Sequence, residues 1–372
     1  MNSQGYRETL PANWFFDADR YQRELEAIWY RDWLCLGREE DWPETGDFSR
    51  HRIGDQQVIV TRAGDGALHA FHNTCRHRGS VLCESDSGRF EGGRIVCPYH
   101  AWSYSLAGEL ERAPRSTDAD SIRLADFPLY RVSLDCFRGF VFVNLDEQPA
   151  CSLQEALSQE AASVAAWPLE DLRRVHRSTH RLACNWKIFW ENYLECYHCP
   201  GVHPDLCRLV PIYRTGFMEY AEAGRQPDPQ RPHAMLRPGA VTWSTDGGTP
   251  LPWFEGLGAA DAERGMTFAT WQPTLFLVAH VDYVRTVRVM PLGPEQTGLT
   301  VDWYVHRDVL GHPGLDVNRL IAFGSQVVSE DARVCELNQQ GIRCGRHERG
   351  VLLEVEDYVY EFEQWVRRRL GG

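Results

Sequence analysis

Two short pairs, Cys75-Arg76-His77 and Cys97-Pro98-Tyr99-His100, constrain this chain more than any other feature. Each sets one thiolate and one imidazole on a tight loop, and the loops must meet in the fold if the four side chains serve one centre. Two sulfur ligands on one iron and two nitrogen ligands on the other are the donor set of a mixed-ligand [2Fe–2S] cluster. Neutral imidazoles in place of two thiolates lower the negative charge around the irons and raise the reduction potential, which makes such a centre a mild one-electron donor. A tetrahedral zinc site is the competing reading of two Cys and two His. Zinc modules usually pair like with like, whereas each pair here mixes sulfur and nitrogen, so the cluster is favoured. Nineteen residues separate His77 from Cys97, which implies a long intervening loop.

At 372 residues the chain exceeds what one core usually holds, and its 43% hydrophobic and 12% aromatic content is ample for burial, so two domains are expected. A net charge of −13 argues against a nucleic-acid partner, which requires basic surface. Met1 to Phe16 has neither a basic head nor a long apolar run, and no stretch approaches the roughly eighteen apolar residues of a membrane span. A cytoplasmic, membrane-free location is expected. Twelve Cys without framework spacing are expected to be mostly reduced and buried.

Asp17–Asp32 reads as an amphipathic helix, with Tyr21, Leu25, Ile28 and Trp29 at helical spacing. It forms an N-terminal segment, 1–32, expected to pack on the catalytic domain. Alternating runs at 58–61, 68–71 and 140–144, separated by Gly-Asp turns, predict an all-β antiparallel sandwich over 33–147. From 148 to 372 the pattern becomes α+β, with helical stretches near 151–165, 185–198 and 315–340 and strand-like runs at 271–290 and 298–306. Pro and Gly cluster between 226 and 258, which predicts an irregular region beside a pocket.

A second candidate centre lies in Asn185–His198, followed by Gly201-Val202-His203-Pro204. On a helical projection Trp186, Trp190, Tyr193 and Tyr197 share one face and Glu191, Glu195 and His198 line the other, so one side packs and the other does chemistry. Pro200 and Gly201 end that helix and let the chain turn so that His203 approaches the same point. Two histidines and a carboxylate on one side of a metal form the facial triad of non-heme Fe(II) oxygenases, which leaves positions for dioxygen and substrate. The carboxylate is expected at Asp331, because Leu320, Gly324, Val327, Val328, Asp331 and Cys335 fall on one helical stripe. A carboxylate amid an apolar face is costly without a compensating cation, which an iron supplies; a buried ion pair with an arginine is the alternative. Taken alone, His198 and His203 also read as ordinary buried histidines.

Asn73-Thr74-Cys75-Arg76-His77-Arg78-Gly79 and Cys97-Pro98-Tyr99-His100-Ala101-Trp102 resemble the two cluster loops of the Rieske non-heme iron oxygenases, the ring-hydroxylating alpha-subunit family. Respiratory Rieske proteins match poorly, because each of their loops carries a further disulfide-forming Cys and Tyr99 stands where one would fall. Cys83 is accordingly expected as a free thiol. The resemblance implies a Rieske [2Fe–2S] cluster on Cys75, His77, Cys97 and His100, and a mononuclear Fe(II) on His198, His203 and Asp331 in a helix-grip catalytic domain with a large antiparallel sheet. It also implies a homotrimer in which Glu195, one turn before His198, links that histidine to a Rieske histidine of the neighbouring subunit; Glu191 is a rival bridge, and a solvent-facing glutamate is the plain alternative for Glu195.

A one-electron store beside an O₂-binding iron implies that O₂ and two electrons hydroxylate a small substrate, by mono- or dioxygenation. No strand, G-x-G-x-x-G and helix fingerprint for a dinucleotide is evident, so NAD(P)H is expected to act through a separate flavin and iron–sulfur reductase. The segments 195–199, 273–277, 280–285 and 290–294 resemble the glycine betaine, stachydrine and carnitine oxygenase branch, which implies attack on an N-methyl group of a quaternary ammonium compound. Such a cation is held by aromatic faces, and Trp243, Trp253, Phe254, Trp271, Phe276 and Tyr283 are the candidates. An aromatic ring-hydroxylating dioxygenase acting on an aromatic acid, and a non-catalytic Rieske electron-transfer protein, are the alternatives.

Overall fold

The computed structural model describes residues 6–117, 120 and 122–371, so residues 1–5 of the expected N-terminal segment lie outside the described residues. The chain divides into two compact units, Ile28–Leu157 and a larger one made of Met1–Ala27 with Ser158–Gly372.

The smaller unit is all-β. Its strands are β1 (Leu34–Arg38), β2 (Asp47–Ile53), β3 (Gln56–Arg62), β4 (Leu68–His72), β5 (Ser87–Arg89), β6 (Arg94–Val96), β7 (Ser103–Ser105), β8 (Leu110–Arg112), β9 (Arg131–Phe137) and β10 (Phe140–Asn144). Seven form an antiparallel sheet in the order β1-β10-β9-β4-β3-β2-β5, and β6-β7-β8 form a second, three-stranded one. The alternation read at 58–61, 68–71 and 140–144 corresponds to β3, β4 and β10. Ile59 and Phe71 from the large sheet meet Ile95, Tyr104 and Leu110 from the small one in a common core. The turn after β7 is set by Gly108 at φ +87°, where a Cβ would fall 2.3 Å from the Phe71 ring, so only glycine lets the hairpin lie on the core.

The larger unit is α+β. A five-stranded antiparallel sheet runs β11-β15-β14-β13-β12, with β11 (Leu172–Leu182), β12 (Met266–Trp271), β13 (Leu275–His280), β14 (Val284–Gly293) and β15 (Gln296–His306). The run expected over 271–290 is therefore broken by tight turns at 272–274 and 281–283. Helices α1 (Ala18–Glu24), α2 (Trp186–Tyr193), α3 (Val317–Ile342) and α4 (Asp357–Arg369) complete the frame with shorter turns, and a further helix, Leu153–Ala161, runs across the division of the chain into units. Asp316 caps α3 by accepting from the Asn318 and Arg319 amides, and the buried stripe of α3 includes Leu320, Phe323, Gly324, Val327, Val328 and Cys335. The Pro- and Gly-rich stretch 226–258 has no helix or strand.

Within this unit the N-terminal segment is tied to α2 by a buried ion pair. Glu24 Oε1 accepts from Lys187 Nζ at 2.6 Å and Glu24 Oε2 from Trp186 Nε1 at 2.8 Å, and both charged side chains are fully buried.

Two expected helices differ. The Asp17–Asp32 helix is regular only to Glu24 and continues as a π turn over Leu25–Trp29, although Leu25, Ile28 and Trp29 are buried as the pattern required. The 185–198 helix stops at Tyr193. The Glu195 carboxylate accepts the His198 amide and also faces its ring, so side-chain bonds replace the helical ladder there. Tyr197, expected on the packing face, is 56% exposed as a result.

Candidate metal centres

In the smaller unit the first Cys-His loop follows β4 and the second joins β6 to β7. Both are closed by backbone bonds across the ligand cysteine: Gly79 N–H to the Cys75 carbonyl at 3.0 Å, and Ala101 N–H to the Cys97 carbonyl at 3.1 Å. Gly79 at φ +73° and Ala101 at φ +58° take the left-handed conformation that such closures need. The rings of His77 and His100 stand edge to face at 4.7 Å, and Trp102 stacks on His77 at 4.9 Å. Cys75 and Cys97 are buried, with the Tyr104 hydroxyl 3.2 Å from Cys75 Sγ. The tertiary fold thus brings the two sulfurs and two imidazoles together, sulfurs inward and rings toward the surface. This donor arrangement fits a cluster with one sulfur-ligated and one nitrogen-ligated iron. Arg76 anchors the loop, stacking on Tyr130 at 4.2 Å and donating to the Pro128 carbonyl. Cys83 is a buried free thiol.

In the larger unit His198, His203 and Asp331 converge, with one donor atom from each within 4.8 Å of the others. They come from the turn after α2, the short helices that follow, and α3. Their orientation is set from behind. His198 Nδ1 lies 2.5 Å from Glu195 Oε1, and His203 Nδ1 lies 2.6 Å from Glu330 Oε2. Both Nε2 atoms therefore face Asp331 Oδ1, at 3.5 Å for His198 and 2.8 Å for His203. Carboxylates on Nδ1 leave each Nε2 lone pair for a metal, the usual arrangement of a ligating histidine. Two imidazoles and one carboxylate on one side, with an open cavity on the other, fit the facial triad of non-heme iron. Burial disfavours the charged form of His198, but bonds to Asp331 and Glu195 outweigh it and push the ring up to about 9 in the metal-free protein. Burial likewise raises Asp331, and bonds from the two histidines overcome this and hold its carboxyl below the ordinary value. Asp331 pairs with the two histidines, and no arginine forms an ion pair with it among the described residues.

A cavity of about 70 Å³ opens over the triad, walled by Phe189, Tyr193, Trp243, Phe268, Phe276 and Arg285. It is far smaller than the roughly 300–1,000 Å³ of sites for drug-sized ligands, so it suits a compact substrate. Tyr193 and Phe276 stack at 3.7 Å to form one wall. Of the six aromatic residues expected here only Trp243 and Phe276 line this cavity. Trp253 is 45% exposed, Trp271 is buried at the end of β12, Phe254 is buried with its amide bonded to the Val281 carbonyl, and the Tyr283 hydroxyl donates to the Trp243 carbonyl. Aromatic content along an irregular segment says nothing about which side of the chain meets the pocket. A second cavity, of about 580 Å³, lies on the Glu195 side and is lined by Glu191, Glu195, His198, Glu356 and Glu363, without His203 or Asp331.

The matched families decide the class. The Rieske [2Fe-2S] domain matches residues 32–128, and the ring hydroxylating alpha subunit (catalytic domain) matches residues 169–372. The chain belongs to the ring-hydroxylating oxygenase alpha subunits. It is an oxidoreductase whose domains imply a Rieske cluster, a mononuclear iron and O₂ as co-substrate. Among its relatives are the glycine betaine monooxygenase oxygenase subunit of Pseudomonas aeruginosa, 27% identical over 394 residues covering 100% of this chain and 91% of that one, and the choline monooxygenase of Beta vulgaris, 27% identical over 370 residues covering 97% and 77%. The fold of the oxygenase is that of the quaternary ammonium Rieske monooxygenase CntA with L-carnitine, at a TM-score of 0.72 and 21% identity over 98% of this chain and 97% of that one. The naphthalene 1,2-dioxygenase of Rhodococcus sp. gives a TM-score of 0.71 at 22% identity over 98% and 94%. Among the described residues of the oxygenase, no helix is long and apolar enough to cross a membrane.

Three features of the site escape the sequence pattern. Glu330 stands beside Asp331, but nothing in its spacing says that it reaches back to His203. Arg285 breaks the apolar run of β14, but so does Arg288, which pairs with Asp302 instead, so a charge in the central strand does not by itself mark a cavity residue. Cys196 and Cys199 form a disulfide across the His198 turn, whereas the remaining ten cysteines are free, with Cys136, Cys151 and Cys344 exposed rather than buried.

Proposed function

We propose that the chain is the oxygenase component of a multicomponent system that hydroxylates an N-methyl group of a small quaternary ammonium compound. The observation that carries this reading is the small cavity over the His198, His203 and Asp331 donors, walled by aromatic rings that attract a cation no hydrogen bond can hold. The names of the curated relatives, which act on glycine betaine, choline and carnitine, support it.

In this reading Cys75, His77, Cys97 and His100 hold the cluster and His198, His203 and Asp331 the ferrous ion. The bound iron supplies activation of O₂ by two electrons delivered singly. The chain's own groups do the rest. Glu195 and Glu330 fix the ring orientations of His198 and His203, and the Tyr193 and Phe276 rings hold the ammonium group with one methyl toward the metal donors. The substrate methyl takes one oxygen atom, the other leaves as water with two protons, and the N-hydroxymethyl product loses formaldehyde to give the demethylated amine.

The electrons come from NAD(P)H through a separate flavin and iron–sulfur reductase, in a cytoplasmic setting where the cluster thiolates stay reduced. In a homotrimer, Glu195 is the bridge from His198 toward His100 of a neighbouring copy. Glu191 is the weaker rival, because Glu195 already holds the His198 ring.

Turnover of the reconstituted oxygenase with a reductase and betaine-type substrates should release formaldehyde in step with O₂ uptake. Production of a cis-diol from an aromatic acid, with no formaldehyde from any methylammonium compound, would overturn the reading.

A further inference from the structure

Arg285 lies in β14, the middle strand of the catalytic sheet, opposite Val278 and Trp303. It is only 4% exposed, yet it lines the cavity that His198, His203 and Asp331 line. Its place is built. Nη1 donates to the Gly324 carbonyl at 3.1 Å, the guanidinium sits over the Trp243 ring at 5.5 Å, and a Cβ on Gly324 would fall 3.0 Å from Nη1, so α3 carries a glycine where the guanidinium passes. Nε has no hydrogen-bond partner.

Charge is where this arrangement is incomplete. A buried guanidinium is always ionised, and an unpaired buried cation is costly. Asp331 is the one carboxylate among the described residues that acts on it, and only through space. Asp331 is committed to the two histidines and, in the loaded enzyme, to a divalent ion. The Glu195 carboxylate, which lines the same cavity, is likewise committed to His198, so Arg285 has no carboxylate of its own there. A ligand that is only a cation leaves the guanidinium without a partner, whereas one that carries a carboxylate at its other end completes the pair. Arginine's planar fork suits a carboxylate in particular.

We infer that Arg285 is the carboxylate-binding residue of the substrate site, so that the substrate is a zwitterion with an N-methylated ammonium at one end and a carboxylate at the other. The inference rests on the quaternary ammonium reading and sharpens it: an amino alcohol such as choline is a poor ligand, and a betaine a good one.

The test is equilibrium binding to the iron-loaded, reduced holoenzyme without oxygen, by calorimetry, using glycine betaine, its methyl ester and choline. The wild type should bind the betaine at least about 30-fold more tightly than either the ester or choline, the scale of a buried charge left without its partner. Arg285→Gln should abolish that preference by weakening betaine binding alone, and Arg285→Lys should restore part of it. Equal binding of betaine and ester by the wild type overturns the inference without any variant, and so does an unchanged preference in a folded, cluster-bearing Arg285→Gln. If no quaternary ammonium compound binds, the proposed function fails separately. Benzoate and phthalate then test Arg285: binding lost in Arg285→Gln upholds the carboxylate role, and no binding of any carboxylate overturns it.

Discussion

His203 is gripped from both sides by consecutive residues of one helix: Glu330 Oε2 lies 2.6 Å from its Nδ1 and Asp331 Oδ1 lies 2.8 Å from its Nε2. One turn of α3 therefore supplies both a proposed metal donor and the group that orients a second proposed donor, His203.

Replacing Glu330 by Gln leaves an acceptor but removes the charge that holds the His203 tautomer. Iron affinity, measured by chelator competition, should fall about 10–100-fold, the usual effect of losing such a partner, while the visible absorbance of the cluster stays unchanged. Unaltered iron affinity would show that the Glu330 contact is incidental.

His203→Ala and Asp331→Ala should each lose the mononuclear iron and oxygen-dependent turnover. Metal analysis with electron paramagnetic resonance of the reduced protein separates the two centres, and the Rieske signal should persist in both variants. Turnover that survives either change would exclude these donors as the catalytic ligands.

Iron loading should depend on pH. In the metal-free protein His198 holds a proton up to about 9, because bonds to Asp331 and Glu195 outweigh its burial, and iron must displace that proton. Affinity should rise with pH by up to about tenfold per unit and level off near pH 9. A flat profile from pH 6 to 9 would contradict the geometry around His198.

Glu363 links stability to pH in the opposite sense. Burial raises its carboxyl from 4.5 to about 7. The unfolded chain thus releases this proton first, so stability declines as pH rises from the unfolded value through the folded one and is then level. The Glu363→Gln variant, which cannot ionise, should be more stable than the parent at pH 8, by on the order of 2 kcal/mol, and should show a shallower slope in thermal melts across that window.

The Glu24 and Lys187 pair offers a stability test away from the metals. Removing Glu24 leaves a buried ammonium whose pKa burial already lowers. Glu24→Ala should cost about 3–5 kcal/mol in denaturant unfolding of the larger unit, and the doubly apolar Glu24→Leu, Lys187→Met variant should recover much of it. Equal stability of all three proteins would mean the pair is not closed in solution.

The break at Tyr193 shows how far periodicity reaches. The apolar spacing of Trp186, Trp190 and Tyr193 located α2 correctly, but the pattern ran on to His198 because nothing in spacing reports that the Glu195 side chain takes over the His198 amide. The aromatic wall divides in the same way. Trp243 and Phe276 meet the cavity, whereas Tyr283, equally aromatic, spends its hydroxyl on the Trp243 carbonyl.

The candidate donors of both proposed centres were legible in the sequence alone, because residue type and local pattern single them out: Cys75, His77, Cys97 and His100 on two loops, and His198, His203 and Asp331 on a helix-turn segment and a distant apolar stripe. What only the tertiary structure decided is which groups stand behind and around those donors: Glu330 on His203, Arg285 among the cavity walls, Glu24 on Lys187. Those contacts join elements far apart in the chain, and a buried charge acquires its partner only when packing brings another strand or helix against it.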